Sequence, residues 1–374
     1  MFGFGWIIAY WWLLVLEGVA VSAVVALISM AAPRLVGGEP RSLASLRLSM
    51  ALTAVAIFLA GVGLIAGVAW LLGARYGVSA SGGLALSVAL FVAGLMVLQW
   101  LFSPYLINAL YRTRPPESLE EEELQVELER IARASGLKRP PRLRIAEVDV
   151  PNAFSYGSPI AGDYVAVTRG LLRIMPREEV VAVLGHEVGH LKHRDVSWIL
   201  ALSLIPLAIY YLGRTLLWVG LLSGGGDRDE ESSPLLLALI GLALIAAGVV
   251  FKFLVAHFNR LREYYADAHS ALVTGSPRLL QRALARIHVA IRGNPRMAAE
   301  AASKGLVSQL FIVAPLIEVS GGFLYDIDAV VEELKTEDTS PLEELFASHP
   351  PVPKRLRFLD RIAERLGLEA PLLP

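Results

Sequence analysis

Five consecutive residues of this sequence have the types and spacing needed for metal-dependent chemistry: His186, Glu187, Val188, Gly189 and His190. Residues four apart in a helix share one face at about 6 Å, so both imidazoles can bind one metal ion. The carboxylate of Glu187 can then act as a general base toward a water molecule that the metal activates. The spacing is typical of zinc hydrolases. It predicts that His186 and His190 are metal ligands and that Glu187 is the catalytic base.

The composition limits which residues can complete such a site. A catalytic zinc ion uses three protein ligands and leaves its fourth position for water. The 374-residue chain contains no cysteine, which excludes thiolate ligands, a disulfide scaffold and a thiol nucleophile. The third ligand must therefore be a histidine or a carboxylate elsewhere in the chain.

The composition also indicates a membrane protein. Hydrophobic residues make up 55% of the chain and charged residues 18%, whereas soluble domains average about 45–50% and about 25%. Five apolar stretches are long enough to cross about 30 Å of hydrocarbon: Trp6–Ala32, Leu48–Leu72, Leu84–Leu101, Val196–Leu222 and Leu235–Phe251. The formal net charge of -1 provides no basic field, so the expected partner is the lipid bilayer and not nucleic acid.

The five stretches divide the chain into four parts. Residues 1–111 are predicted to form an N-terminal membrane region of about three spans, and residues 196–256 a membrane hairpin of two spans. Residues 112–195, which contain the histidine motif, and residues 257–374 are predicted to form one soluble domain. We therefore expect a mainly α protein in which membrane helices carry an α+β domain.

Local patterns predict the elements of the soluble domain. Arg142–Val150 and Tyr164–Thr168 alternate apolar and polar residues, which predicts two strands of a small antiparallel sheet joined through Pro151–Ala161. Pro176, followed by acidic residues, predicts the start of the motif helix. No helix breaker follows before Asp195, so we expect this helix to continue into the fourth span.

Helix geometry indicates Glu263 as the third ligand. At 1.5 Å per residue, His186 and His190 lie roughly 9–15 Å before Val196, where the fourth span begins. The antiparallel fifth span returns to the same side near Ala256, so a ligand at matching height should follow roughly six to ten positions later. Glu263 meets that condition.

A second acid supports this assignment, and three histidines compete with it. Asp267, four residues after Glu263, shares its helix face and is expected to accept a hydrogen bond from a ligating imidazole. The rival ligands are His193, His257 and His269. We expect His193 to face solvent, His257 to lie too close to the membrane and His269 to lie off the Glu263 face.

Charges near the spans indicate the side of the membrane. The loop Pro33–Arg47 carries three arginines, whereas the connection Ser223–Pro234 is acidic. Cytosolic loops are enriched in Arg and Lys, so both observations place the soluble domain in the cytoplasm. Two charges lie inside spans. Glu17 is either a functional acid or a paired acid facing another helix, and Arg214 is expected to snorkel toward the outer interface.

Four separated segments between about Pro104 and Leu359 resemble the HtpX-type membrane zinc endopeptidases, relatives of the CAAX prenyl proteases. The segments are His186–His190, Arg262–Asp267, Pro151–Phe154, and Ser348–Pro351 with Arg355. The resemblance implies a zincin-like metalloprotease domain of the gluzincin type, with one Zn²⁺ per chain bound by His186, His190 and Glu263 and with Glu187 as base and acid. It also implies hydrolysis of damaged or misfolded membrane proteins at the cytosolic face of the cytoplasmic membrane.

The resemblance assigns further residues to the site. It makes His349 the candidate that stabilises the developing oxyanion; the alternative is that His349 ends a loop and packs. Asn152, Ala153 and Phe154 are expected to border the substrate cleft. A substrate main chain would add there to an edge strand near Tyr164–Thr168.

Two features depart from the family's pattern. Three spans precede the soluble domain where two are common, and the segment Glu318–Leu345 looks inserted. Two other functions stay open. One is processing of prenylated C-termini, which the small number of spans disfavours, and the other is a non-catalytic membrane scaffold. The sequence carries no signal for oligomeric state or cleavage preference.

Overall fold

The computed structural model describes residues 19, 21–23, 27, 40, 42–76, 78–193, 195–222, 234–292, 326–347 and 349–368. Most of the predicted first span Trp6–Ala32, including Glu17, lies outside these residues. Residues 223–233 of the acidic connection, residues 318–325 of the inserted segment and Ser348 lie outside them as well.

The described residues form eleven helices and four strands, numbered in chain order. The helices are α1 (Leu43–Tyr76), α2 (Val78–Leu110), α3 (Leu119–Ala134), α4 (Arg169–Ile174), α5 (Arg177–Lys192), α6 (Asp195–Leu222), α7 (Pro234–Thr274), α8 (Pro277–Arg292), α9 (Ile327–Thr336), α10 (Pro341–Phe346) and α11 (Val352–Leu366). The strands are β1 (Thr113–Arg114), β2 (Arg142–Ala146), β3 (Ala153–Ser158) and β4 (Gly162–Thr168). Long helices with one small sheet confirm the predicted fold class.

Four described helices contain stretches long and apolar enough to cross a membrane: Leu43–Gly73, Ala93–Leu110, Trp198–Leu222 and Pro234–Thr274. They confirm a multi-pass membrane protein. The predicted third span Leu84–Leu101 lies in α2, where the qualifying stretch of described residues begins later, at Ala93.

The chain forms two compact units. The described part of the first, called the membrane unit, consists mainly of Ala51–Leu98 and Ile199–Ala256. The second, called the soluble unit, contains Gln99–Trp198 and His257–Pro374 together with Gly37–Met50. Helix α7 contributes its apolar first part to the membrane unit and its charged last part to the soluble unit.

Glycine allows α6 and α7 to pack backbone to backbone in the membrane unit. A Cβ atom at Gly220 would lie 2.5 Å from the Ala238 nitrogen and 2.6 Å from the Pro234 oxygen. Both distances are far below van der Waals contact. A larger residue at Gly220 would therefore force the two helices apart.

The intramembrane Arg214 is bound within its own helix. Its Nη1 donates to the Tyr210 hydroxyl at 3.2 Å, one turn nearer the start of α6. Lys252 also contacts Tyr210, with its Nζ 5.7 Å from the ring centroid. One nitrogen of the Arg214 guanidinium thus faces Tyr210. The predicted snorkelling of Arg214 toward the outer interface stays a prediction.

The sheet is mixed, with strand order β1-β2-β4-β3. β1 pairs antiparallel with β2, and β3 pairs antiparallel with β4, but β2 and β4 are parallel. The predicted antiparallel pairing of Arg142–Val150 with Tyr164–Thr168 is therefore wrong. The reason is that Pro151–Ala161 is not a simple connection. It contains β3, which reverses the chain and lets its hairpin place β4 beside β2 in parallel.

The core of the soluble unit lies between the sheet and helices α3, α5, α8 and α11. Helix α9, from the segment Glu318–Leu345 that looks inserted, packs into this core. Its buried side chains are Val330, Val331 and Leu334. Asp328 of α9 also accepts a hydrogen bond of 2.8 Å from Arg278 of α8. The described part of the segment is therefore an integral layer of the soluble unit.

The motif helix does not continue into the fourth span as predicted. Helix α5 ends at Lys192, His193 adopts φ -89° and ψ 4°, and α6 begins at Asp195. The His193 ring packs edge-on against Tyr265 with centroids 4.3 Å apart. This contact comes from a distant part of the chain, and the local sequence contains no breaker that would indicate the end of α5.

We expect Glu121 to stabilise the start of α3 in a pH-dependent way. Arg114 donates two hydrogen bonds of 2.8 Å to its carboxylate, and they lower the pKa of Glu121 to about 2. Because the unfolded pKa is about 4.3, this stabilisation is complete above that pH and is lost as the pH falls through the folded pKa. Glu121→Gln should therefore lower Tm at about pH 7, with a smaller difference from wild type at about pH 3.

Thermal unfolding of the detergent-solubilised protein measures this difference. Glu120→Gln, at an exposed neighbouring position, is the matched control and should leave Tm unchanged at both pH values. An equal loss of Tm for Glu121→Gln at both pH values would contradict the electrostatic explanation.

Candidate metal centre

Helix α5 carries the histidine motif into the core of the soluble unit. The helix starts after Pro176 and has Glu178 and Glu179 in its first turn, where acidic side chains interact favourably with the helix dipole. His186 is 1% exposed and Glu187 is 3% exposed. The motif is therefore fixed on one packed helix.

Two glycines let α5 pack closely against the last part of α7. A Cβ atom at Gly189 would lie 3.1 Å from the Ala266 Cα, and one at Gly185 would lie 3.2 Å from the Ser270 Oγ. Ser270 in turn donates to the Ala182 carbonyl at 2.6 Å. The role of these glycines was not predicted from the sequence. Their spacing of four residues places them on one face of the motif helix, which is a pattern that indicates close helix packing.

The close packing brings Glu263 of α7 opposite the two histidines. Nε2 of His186 lies 3.1 Å from Nε2 of His190 and 3.6 Å from Oε2 of Glu263. Nε2 of His190 lies 3.5 Å from Oε1 of Glu263. In the part of the chain that the structure describes, these are the one group of His, Asp and Glu side chains that converge closely enough to share a metal ion. The structure thus brings the three residues together, and their role as ligands stays a prediction.

The atoms around this group fit a bound cation. Oε2 of Glu263 is buried, and no described residue forms a hydrogen bond with it. Nδ1 of His349 and Nη1 of Arg355 lie 3.0 and 3.7 Å away, at ion-pair distance but outside hydrogen-bond geometry. A buried carboxylate oxygen needs a compensating partner, which a cation would supply. A metal on Nε2 of His190 would leave its Nδ1 protonated. Nη2 of Arg262, which is also a donor, faces that Nδ1 at 3.3 Å. This contact between two donors must change when a metal binds.

Asp267 lies beside the first histidine. Its Oδ1 is 3.0 Å from Nδ1 of His186, at ion-pair distance but outside hydrogen-bond geometry, so the predicted hydrogen bond to a ligating imidazole stays a prediction. Both oxygens of Asp267 accept hydrogen bonds from Arg355, at 2.8 and 2.5 Å. Burial alone would lower the pKa of His186, but the carboxylates of Asp267 and Glu263 outweigh it and raise that pKa to about 9. Carboxylates behind an imidazole in this way fix its orientation and make it a more basic ligand.

The two residues predicted to take part in catalysis lie on different parts of the chain. Glu187 is on α5 beside the first histidine, and His349 precedes α11 and is 6% exposed. Nε2 of His349 is buried and forms no hydrogen bond with the described residues. Its Nδ1 lies 3.0 Å from Oε2 of Glu263, so His349 borders the candidate metal group without being one of its three members. The catalytic roles of both residues stay predictions.

None of the three rival histidines, all of which the structure describes, joins the group. Nε2 of His269 is hydrogen-bonded to the Ser135 hydroxyl at 2.9 Å. His193 is half-buried against Tyr265, so the expectation that it faces solvent is wrong. His257 is half-buried at the beginning of the part of α7 that belongs to the soluble unit.

The edge of the sheet differs from the prediction. Tyr164–Thr168 lies in β4, between β2 and β3, so it is not the free edge that the sequence analysis expected. The outer strand on that side of the sheet is β3, which begins at Ala153. The β3–β4 hairpin inserts its second strand into the sheet and leaves its first strand outside.

Asn152, Ala153 and Phe154, predicted to border the cleft, are buried, with at most 2% of each whole residue exposed. The Asn152 carbonyl accepts from the Thr168 N–H at 2.9 Å. Backbone groups alternate along an antiparallel strand, so those of Ala153 point away from β4. The role of this segment at the cleft stays a prediction.

Known proteins are similar to this chain. The profile of peptidase family M48 matches residues 118–363. Protease HtpX homolog of Aeropyrum pernix is 57% identical over 318 residues, which are 85% of this chain and 98% of that protein. Protease HtpX homolog 2 of Saccharolobus solfataricus is 40% identical over 325 residues, with the same two coverages of 85% and 98%. The match to a crystal structure of S. mikatae Ste24p covers 85% of this chain and 67% of the Ste24p chain, at 16% sequence identity and a TM-score of 0.48.

We expect Glu263→Ala to remove most of the bound metal, because it deletes one of the three side chains that converge on the site. His193→Ala and His269→Ala should leave about one metal ion per chain. Elemental analysis of the purified full-length protein measures this content. Loss of metal in either histidine variant, with normal metal in Glu263→Ala, would show that the third ligand is wrongly assigned.

We also expect Gly189→Ala to weaken the site without touching a ligand. The added methyl group would meet α7 at 3.1 Å, so the helices must separate by a few tenths of an ångström, at a cost of about 1–3 kcal/mol. Gly94→Ala, where nothing lies within 4 Å of the added atom, is the control. Metal titration and thermal unfolding should show a loss for Gly189→Ala only, and unchanged values in both variants would contradict the packing argument.

Proposed function

The chain belongs to peptidase family M48 and is an HtpX-type membrane metalloprotease, and from that premise we propose that it uses zinc to hydrolyse damaged or misfolded membrane proteins at the cytosolic face. The family assignment makes it an enzyme that acts on polypeptides, which removes the membrane scaffold as an alternative. Its apolar helices make it a multi-pass protein of the lipid bilayer. The proposal concerns the metal, the side of the membrane and the class of substrate.

The spacing of the three donor atoms carries the choice of zinc. Tetrahedral zinc has ligand bonds of about 2.0–2.2 Å, so its donor atoms lie about 3.3–3.6 Å apart. Nε2 of His186 lies 3.1 Å from Nε2 of His190. The two nitrogens lie 3.6 and 3.5 Å from Oε2 and Oε1 of Glu263, respectively, so each has one carboxylate oxygen at about this spacing. Two histidines and one glutamate are also a donor set of catalytic zinc sites that keep a position open for water.

The side chains around the metal have separate tasks in hydrolysis. A zinc ion in this site would lower the pKa of a water molecule and polarise the scissile carbonyl. Glu187 takes the proton of the attacking water and then delivers it to the leaving nitrogen. Asp267 keeps Nε2 of His186 directed at the metal by holding Nδ1 on the opposite side of the ring. His349 donates to the carbonyl oxygen as negative charge develops on it.

The outer position of β3 in the sheet supports a broad range of polypeptide substrates. An extended chain can pair with backbone groups of an outer strand whatever its side chains are. The backbone groups of Ala153 that point away from β4 are the ones with which such a chain would pair. Recognition through main chain suits an enzyme that must accept many unfolded segments, as removal of damaged proteins requires.

The charges that flank the spans support a cytosolic site. The loop before the second span carries Arg34, Arg41 and Arg47, and the fifth span is followed by Arg260 and Arg262. The connection at 223–233 between the fourth and fifth spans is acidic. Segments on the cytosolic side of membrane spans are enriched in arginine and lysine. This rule favours a cytosolic location for both basic segments and for the soluble unit that follows them.

Glu187→Gln should keep the zinc and abolish hydrolysis, because the three ligands remain while the proton carrier is lost. Zinc analysis and casein digestion by the full-length enzyme in detergent measure the two properties. A loss of activity of at least about 100-fold is expected for a general base. Stoichiometric zinc with near wild-type digestion would exclude the proposed mechanism.

The same assay separates the proposed function from its alternative. An endopeptidase of unfolded chains should cleave casein and an unmodified peptide. An enzyme for lipid-modified C-termini should act only on a farnesylated peptide. Cleavage confined to the farnesylated peptide would favour the alternative.

Cysteine labelling tests the sidedness, since the chain has no native cysteine. In intact cells a membrane-impermeant thiol reagent should label Ser232→Cys in the acidic connection. Glu120→Cys, at an exposed position of the soluble unit, should stay unlabelled until the membrane is opened. The opposite order of labelling would overturn the cytosolic assignment.

A further inference from the structure

A groove of about 1230 Å³ runs along the soluble unit and reaches the candidate metal group at His190. Its walls come from three segments of chain: residues 135–140 after α3, the tip of the β3–β4 hairpin at 157–163, and the end of α5 at 190–192. The hairpin tip is the end of the outer strand β3. A peptide whose scissile bond is at the metal would therefore extend into this groove.

The charged side chains that line this groove are mostly positive. Lys138, Arg139, Arg142 and Lys192 face one acid, Asp163. The chain as a whole is balanced, with 34 basic and 35 acidic residues. The local excess of positive charge is therefore a property of the groove and does not follow from the composition of the protein.

Three of these cations have no carboxylate partner within 4.0 Å among the described residues: Lys138, Arg139 and Lys192. All three are exposed. Other exposed arginines of the soluble unit are paired, such as Arg173 with Asp149 at 2.6 Å and Arg130 with Glu127 at 2.8 Å, although Arg112 and Arg365 resemble the groove cations in having no such partner among the described residues. The groove thus keeps unpaired positive charge beside the reaction centre.

Arg142 has a different role in the groove. Its Nη2 donates to the Ala161 carbonyl at 2.5 Å, and its guanidinium lies 4.4 Å from the ring centroid of Tyr164. These contacts hold it against the hairpin. It is therefore part of the wall, while the charges of the other three cations are available to a ligand.

We propose that Lys138, Arg139 and Lys192 select peptide segments that carry acidic side chains next to the scissile bond. This inference rests on the proposed function, because it treats the groove as part of the protease site. A cleft lined by one sign of charge concentrates ligands of the opposite sign. Each exposed ion pair changes binding by a factor of about 1.5 to 5, so three together give roughly tenfold discrimination.

The preference has a consequence for membrane-protein substrates. Cytosolic loops of correctly oriented membrane proteins are rich in lysine and arginine. The basic groove repels such loops and accepts acidic segments, which are less typical of that side. Correctly inserted proteins are thereby disfavoured relative to segments that reach the cytosol by error or by damage.

Three quenched-fluorescence peptides test the proposal. They share one cleavable core and differ in four flanking residues, which are all Glu, all Gln or all Lys. The full-length zinc-loaded enzyme in neutral detergent should give a kcat/KM about tenfold higher for the Glu peptide than for the Lys peptide at low salt. This ratio should fall toward one at about 0.5 M salt, because screening weakens exposed charges.

A triple variant identifies the residues responsible. Lys138→Gln, Arg139→Gln and Lys192→Gln together should bring the ratio between the Glu and Lys peptides to within about twofold of one. Zinc analysis verifies that the metal site of the variant is intact.

The matched control removes the same number of charges from exposed positions that do not line the groove. Its substitutions are Arg130→Gln, Arg133→Gln and Arg365→Gln. This variant should keep the wild-type ratio. Equal kcat/KM values for the Glu and Lys peptides in the wild type would overturn the proposal. So would a wild-type ratio in the groove variant.

Two further outcomes are distinguishable from these. If the groove variant changes activity only on vesicles of phosphatidylglycerol and not of phosphatidylcholine, with the peptide ratio unchanged, the cations bind lipid headgroups and the peptide proposal is wrong. If the zinc-loaded wild type cleaves neither casein nor any of the peptides, the proposed function itself fails. Cleavage of all three peptides at equal rates removes only the charge preference.

Discussion

The distance between α5 and the last part of α7 is the constraint on which the candidate site depends. A carboxylate on one helix must approach two imidazoles on the other to within about 3.6 Å if all three are to share a zinc ion. Helix axes usually lie 8–10 Å apart, depending on the side chains at the contact. Gly185 and Gly189 place only hydrogen atoms at this contact, and so bring Glu263 of α7 within reach. The motif therefore contains its own packing surface as well as its ligands.

Buried charge then ties the C-terminal helix to the same site. Asp267 and Arg355 are both fully buried and bonded to each other. Breaking such a pair leaves one uncompensated charge in the interior, at a cost of about 3–5 kcal/mol. Asp267 is also the carboxylate that holds His186. The correct orientation of a ligand on α5 thus depends on α7 and on α11, and we expect the metal site and the core of the soluble unit to form together.

The residues of the candidate site were easier to predict than the sheet that surrounds it. His186 and His190 are related by local helical periodicity, and the rise per residue along two antiparallel helices was enough to indicate Glu263. The parallel pairing of β2 with β4 depends on where β3 turns the chain, which the alternation of single strands does not encode. The end of α5 at Lys192 coincides with a contact between His193 and Tyr265, residues 72 positions apart in the sequence. Only tertiary structure contains that information.

Positively charged side chains have opposite roles in the buried core and in the groove. Arg355 is fully buried and lies at ion-pair distance from the carboxylates of Asp267 and Glu263, so it contributes to the order of the site and not to the choice of substrate. Lys138, Arg139 and Lys192 are exposed, and water screens each of them. Screened charges contribute little to stability, so they can change without loss of the fold. Buried charge orders the catalytic site, and exposed charge sets the proposed substrate preference. The preference can therefore change in such a protease while the catalytic site stays the same.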